Sequence, residues 1–103
     1  MTTYKVFSQD DKIKISVKGH SKASIVNGVD MCCLGVSMLC YTLKDYLDSL
    51  LLDGYKSKIK SGLCEIEFLK NSKRISKALC AVDTISHGFR LLKETYPSNI
   101  TFK

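Results

Sequence analysis

At 103 residues, 45% hydrophobic and 25% charged, the chain has the size for one compact core and an ordinary globular composition. That excludes a disordered or low-complexity polymer. No run reaches the roughly 18 apolar residues of a membrane span. MTTYKVFSQDDKIKIS lacks the apolar stretch of a cleaved secretory signal, so the sequence predicts one intracellular domain over residues 1–103, cytoplasmic and away from membranes. Sixteen basic residues against ten acidic ones leave a net charge of +6. Only two are arginine, no aromatic-plus-arginine stacking motif occurs, and the lysines spread along the chain read as a solvated surface.

Thr3 to Ser8 read as a strand and Gln9-Asp10-Asp11 as a hairpin turn. From Lys12 to Lys18 apolar and polar residues alternate strictly, with Ile13, Ile15 and Val17 on one face, the pattern of a half-buried antiparallel strand. Gly19 to Val29 (GHSKASIVNGV) has neither helical nor strand period and reads as a loop. A loop that long in a small domain usually carries function, and residues 22–29 are expected to be mobile.

Asp30 is a natural helix cap, and the apolar positions Leu34, Met38, Leu39, Leu43, Tyr46, Leu47, Leu50 and Leu51 follow at spacings of three and four. Gly54 is the expected stop. A second hairpin, Tyr55–Lys60 and Leu63–Leu69, turns at Ser61-Gly62. Asn71 or Ser72 is the expected cap of a second helix that runs to Tyr96-Pro97, and Ile100 to Phe102 is a last strand. The order β-β-α-β-β-α-β predicts an α+β fold: one mixed or antiparallel sheet with two helices packed on one face.

Five cysteines, an odd number, with no C-x-x-C pair and only His20 and His87 as histidines, argue against both a disulfide framework and a structural zinc site. Cys40, Cys64 and Cys80 sit in apolar patterns as small hydrophobes. Cys32 and Cys33 remain. With Asp30 as cap, Cys33 falls in the first helical turn, where unpaired backbone N–H groups favour an anion and make a thiol a competent nucleophile. His20 is the only histidine nearby in sequence, and the loop can bring it to general-base distance. A Cys–His pair of this kind does acyl transfer. The residues alone leave open the alternative of a buried cysteine beside a solvated loop histidine.

Gly19-His20, a glycine-containing loop, Asp30-Met31-Cys32-Cys33, then Gly35 and Ser37 resemble the ribosomal-processing cysteine protease family, Prp. Its signature is a GH dipeptide, a loop, and D-[IV]-[VL]-C-A-[AG]-[VA]-S opening a helix. The two opening strands match as well, and the ending ETYPSNITFK is similar to the family's E-x-Y-x-x-x-[IVL] and short strand, so the resemblance covers most of the chain. It implies a homodimeric cysteine protease, without metal or cofactor, that removes a short N-terminal extension from a large-subunit ribosomal protein. Nucleic acid would then be met only through the ribosome. A phage-borne relative that processes a capsid or scaffold protein is a second implication, and a non-catalytic module of the same fold that docks on ribosomal RNA or a ribosomal protein through its lysines is the rival.

By the resemblance, His20 matches the family's histidine, Cys33 its nucleophile, Asp30 the acidic residue three before it, Ser37 the serine four after it, and Gly19 the glycine before the histidine. Cys33 lies thirteen positions after His20, one more than is usual in the family, which makes Cys32 a rival nucleophile. Cys33 is preferred because Asp30-x-x-Cys33-x-x-x-Ser37 is rigid helix geometry, whereas a loop absorbs changes of length. Ser21 and Leu34 stand where the family usually has alanine.

Overall fold

Strict alternation makes the first hairpin: β1 (Thr2–Gln9) and β2 (Lys12–Lys18) pair antiparallel about Asp10 and Asp11. This computed structural model describes residues 1–20, 25–26 and 29–102. Tyr4 stands opposite Val17, and Val6 opposite Ile15; Tyr4, Ile15 and Val17 are buried. The lysines between them face the other way. A second hairpin, β5 (Lys56–Lys60) and β6 (Leu63–Leu69), joins through the antiparallel pairing of β6 with β2. The last strand, β7 (Ile100–Phe102), lies parallel to β1. The sheet order is β5-β6-β2-β1-β7, a mixed five-stranded sheet in an α+β fold with both helices on one face.

The helices are α1 (Met31–Ser49) and α2 (Ile75–Thr95). Leu43 and Leu47 of α1, Ala78, Val82, Ile85 and Phe89 of α2, and Ile15, Val17, Ile66 and Phe68 of the sheet form one apolar core. Burying each Leu, Ile, Val or Phe among them contributes about 1.5–3 kcal/mol. Tyr4 ties β1 to α2: its ring stacks on Phe89 with centroids 4.2 Å apart. The Ser86 hydroxyl donates to the Val82 carbonyl at 2.8 Å, which leaves it to accept from the Tyr4 hydroxyl at 2.6 Å. Burial pushes the Tyr4 phenol up, so it stays a neutral donor.

Four expectations need correction, and a fifth lies mostly outside the described residues. The stretch expected to be loop throughout contains a short antiparallel ladder, β3 (Ile25–Val26) with β4 (Val29–Asp30). Two-residue strands are too short for any period to register. The expected mobility of residues 22–29 falls on a stretch mostly outside the described residues. Helix α1 ends at Ser49, not at Gly54: Leu50 and Leu52 turn into the core while Leu51, at φ +53°, is 82% exposed. Tertiary hydrogen bonds win over helix continuation there, because the Asp53 N–H donates to Ser72 Oγ at 3.0 Å and the Asp53 carbonyl accepts from the Leu69 N–H at 2.9 Å. The same bond removes Ser72 from capping duty, so α2 starts at Ile75 with no side-chain cap. Finally, β5 begins at Lys56, one residue late, since the Tyr55 hydroxyl is drawn to the Asp48 carboxylate.

Candidate active site

Asp30 closes β4 with extended backbone (φ −79°, ψ 102°), and its Oδ1 accepts from the Cys33 N–H at 3.0 Å. The cap therefore acts at the residue in question and orients the first turn of α1. Within that turn the helical rotation of about 100° per residue separates the two adjacent cysteines. Cys32 is completely buried, with 0% exposure, while Cys33 is half-buried and opens onto a cleft. Ser37, one turn further, lines the same cleft.

The opposite wall comes from the sheet. The chain leaves β2 at Gly19, which adopts φ +96°, and a Cβ there would lie 2.2 Å from the Met1 carbonyl oxygen. Only glycine fits. Its N–H donates to the Gly62 carbonyl at 2.9 Å, and its own carbonyl accepts from the Thr2 hydroxyl at 3.3 Å. The His20 carbonyl accepts from the α-amino group of Met1 at 2.6 Å. With its backbone held on both sides, His20 lays its ring over Gly62, where an added Cβ would stand 2.8 Å from Nε2. His20, Gly19, Cys33 and Ser37 thus share one cleft of about 220 Å³ between α1 and the β5–β6 turn.

Cys40 and Cys64 lie on the floor of this cleft, both buried. The hydrogen bond with Cys64, together with burial, pushes the Cys40 thiol up, so Cys40 stays protonated. Among the described residues no group of three or more His, Cys, Asp or Glu side chains could hold a metal ion. His87 is exposed on α2, with Arg90 Nη1 3.3 Å from its Nδ1. Gly62 was missed as a site residue: the Ser61-Gly62 pair signals a turn, and nothing local signals that a histidine forty-two positions earlier rests on it.

A family model described as cysteine protease Prp matches residues 1–101. The chain belongs to that family. Cysteine-dependent peptide-bond hydrolysis is thus the class of chemistry. Among solved structures, the ribosomal processing protease Prp from S. aureus, in complex with a covalently linked product peptide, is 19% identical with a TM-score of 0.78; the alignment covers all of both chains. The same protease with a substrate peptide gives 17% and 0.76 over 100% of this chain and 98% of that one. SMU.848 from Streptococcus mutans gives 21% and 0.69 over 100% and 92%. No curated protein matches the chain. No described helix is long and apolar enough to cross a membrane.

Burial orders the thiols for a simple experiment. Iodoacetamide under native conditions is expected to label Cys33 and the exposed Cys80 well before Cys32, Cys40 and Cys64. Peptide mapping by mass spectrometry at early time points checks it, and early labelling of Cys32 would contradict the burial pattern.

Proposed function

We propose that the chain, as one protease domain over residues 1–103, is a ribosomal-processing cysteine endopeptidase with Cys33 as nucleophile and His20 as general base. Its proposed substrate is a large-subunit ribosomal protein carrying a short N-terminal extension. The observation that carries the reading is that Cys33 and His20 line one cleft from opposite walls while Cys32 points into the core. In the reaction His20 takes the thiol proton and Cys33 Sγ attacks the scissile carbonyl carbon. The C–N bond then breaks as His20 returns the proton to the leaving amine. Water, deprotonated by His20, hydrolyses the thioester. Helix N–H groups at the start of α1 suit the developing oxyanion. Asp30 orients the first turn, Gly19 and Gly62 set the histidine, and Ser37 faces the bound peptide.

The test is cleavage of an N-terminally extended ribosomal protein, read by mass spectrometry for wild type and for variants at Cys33, Cys32 and His20. The proposed dimer would pair through the exposed face of α1. Met31, Leu34, Met38 and Tyr41 make one exposed apolar stripe on α1, at 44%, 47%, 59% and 56% exposure. Met38→Asp is expected to convert a dimer to monomer in sedimentation equilibrium at micromolar concentration. A wild type that is already monomeric would remove that part of the proposal.

A further inference from the structure

Lysines that look scattered in sequence are gathered by the strand register. On the sheet face turned away from the helices, Lys5, Ser16, Glu65 and Lys58 form one cross-strand row, and Phe7, Lys14, Glu67 and Lys56 the next. Lys18 and Lys60 flank Leu63 in a third row, and Lys12 lies beyond the second. Seven of the sixteen basic residues and two of the ten acidic ones lie on this face. It therefore carries +5 of the net +6, and the remainder of the chain is balanced to within one charge.

A shallow groove of about 510 Å³ crosses the face, with Lys5, Lys14, Lys18, Lys56 and Lys58 along it and Glu65 and Glu67 between them. Glu67 is already spoken for: Lys12 Nζ is 3.2 Å away and, with Lys14 and Lys56, holds its carboxyl below the usual range. Among the described residues no other ion pair occurs on this face. Phe7 sits half-exposed at one end of the groove with Lys5 Nζ 4.5 Å from its ring centroid. Alternate lysines on a strand stand about 6.8 Å apart, a spacing on the scale of successive phosphates in an extended strand.

We propose that this face docks single-stranded nucleic acid, with its lysines on the phosphates and Phe7 as a stacking platform for a base. The lysine grid supplies the sequence-independent electrostatics, and the ring beside it supplies what an acidic protein partner would not need. The proposal rests on charge and register and is independent of the catalytic assignment.

Fluorescence anisotropy of a labelled uridine dodecamer on the full chain, between 50 and 200 mM salt, tests it. Four to six phosphate contacts give a slope of roughly −3 to −4 in log K against log salt. Lys14→Glu with Lys58→Glu is expected to weaken binding at least tenfold. Lys73→Glu with Lys77→Glu, the same charge change at exposed positions on the helical side, should cost less than twofold. Phe7→Ala should weaken binding about tenfold with little change in slope. All these positions lie outside the proposed active site, so peptide cleavage should be unchanged. A thymidine dodecamer run in parallel separates RNA from DNA, and either one binding with this pattern upholds the proposal. A slope near zero, equal loss in both double variants, or polyglutamate competing as well as RNA of equal charge would overturn it; the last outcome would assign the face to an acidic protein.

Discussion

Cys33→Ala and His20→Ala should each abolish cleavage of the extended ribosomal protein, while Cys32→Ala should keep most of the activity. Without its proposed nucleophile the site has no covalent route, so a loss of about 10⁴-fold or more is expected at Cys33. Loss of His20, the proposed general base, is expected to cost about 10²–10⁴-fold. Cys32 is different in kind. Its side chain is fully buried behind the first turn of α1, so removing the sulfur costs packing, on the order of 1 kcal/mol, and leaves the cleft lined as before. An inactive Cys32→Ala beside an active Cys33→Ala would transfer the nucleophile to Cys32. No cleavage by wild type would leave the family membership standing and reject the ribosomal substrate, moving the search to a phage capsid or scaffold protein or to binding without catalysis.

Gly19→Ala is expected to be the most damaging single methyl group in the protein. Two penalties add at this residue. The backbone sits at φ +96°, where an L side chain is strained, and the new Cβ would collide with the Met1 carbonyl oxygen at 2.2 Å. Backbone cannot rotate away as a side chain can, so the start of β1 or the end of β2 must shift. A destabilisation of roughly 2–4 kcal/mol follows, which for a domain of this size lowers Tm by about 10 °C or more. The shift would also carry His20 off its seat on Gly62, so activity should fall even at temperatures where the variant stays folded. Calorimetry and the cleavage assay together check both effects. A Tm within 2–3 °C of wild type, about 0.5 kcal/mol on the same scale, would refute the steric account.

Where periodicity was long, sequence and structure agree. Strand β2, with its run Ile13-Ile15-Val17 between lysines, and β6, with Cys64-Ile66-Phe68, have the bounds their alternation predicts. Asp30 caps α1 at the predicted residue, since a cap depends only on a local contact between Asp30 and the Cys33 N–H. Helix ends set by distant partners were illegible: Ser72 looks like a cap, yet its hydroxyl serves Asp53, nineteen positions earlier. The site followed the same division. The Asp30, Cys33 and Ser37 frame could be read from helical spacing, whereas the contact of His20 with Gly62 depends on how two hairpins align in the sheet. The basic face stayed hidden for the same reason, because cross-strand rows exist only once the register of β5 and β6 with β2 is known.

His20 is held to the sheet by backbone hydrogen bonds at Gly19 and at its own carbonyl, while Cys33 rides on a helix that packs on that sheet through the apolar core. The two halves of the proposed site are therefore carried by different layers. Helix and strands can each keep their hydrogen bonds when the layers loosen, as they do in expanded compact states, but the two side chains cannot keep their spacing. Turnover thus becomes a gauge of how tightly the helices sit on the sheet. In a denaturant titration it should fade at lower concentration than far-ultraviolet circular dichroism, and core variants such as Leu43→Ala should widen the interval between the two curves.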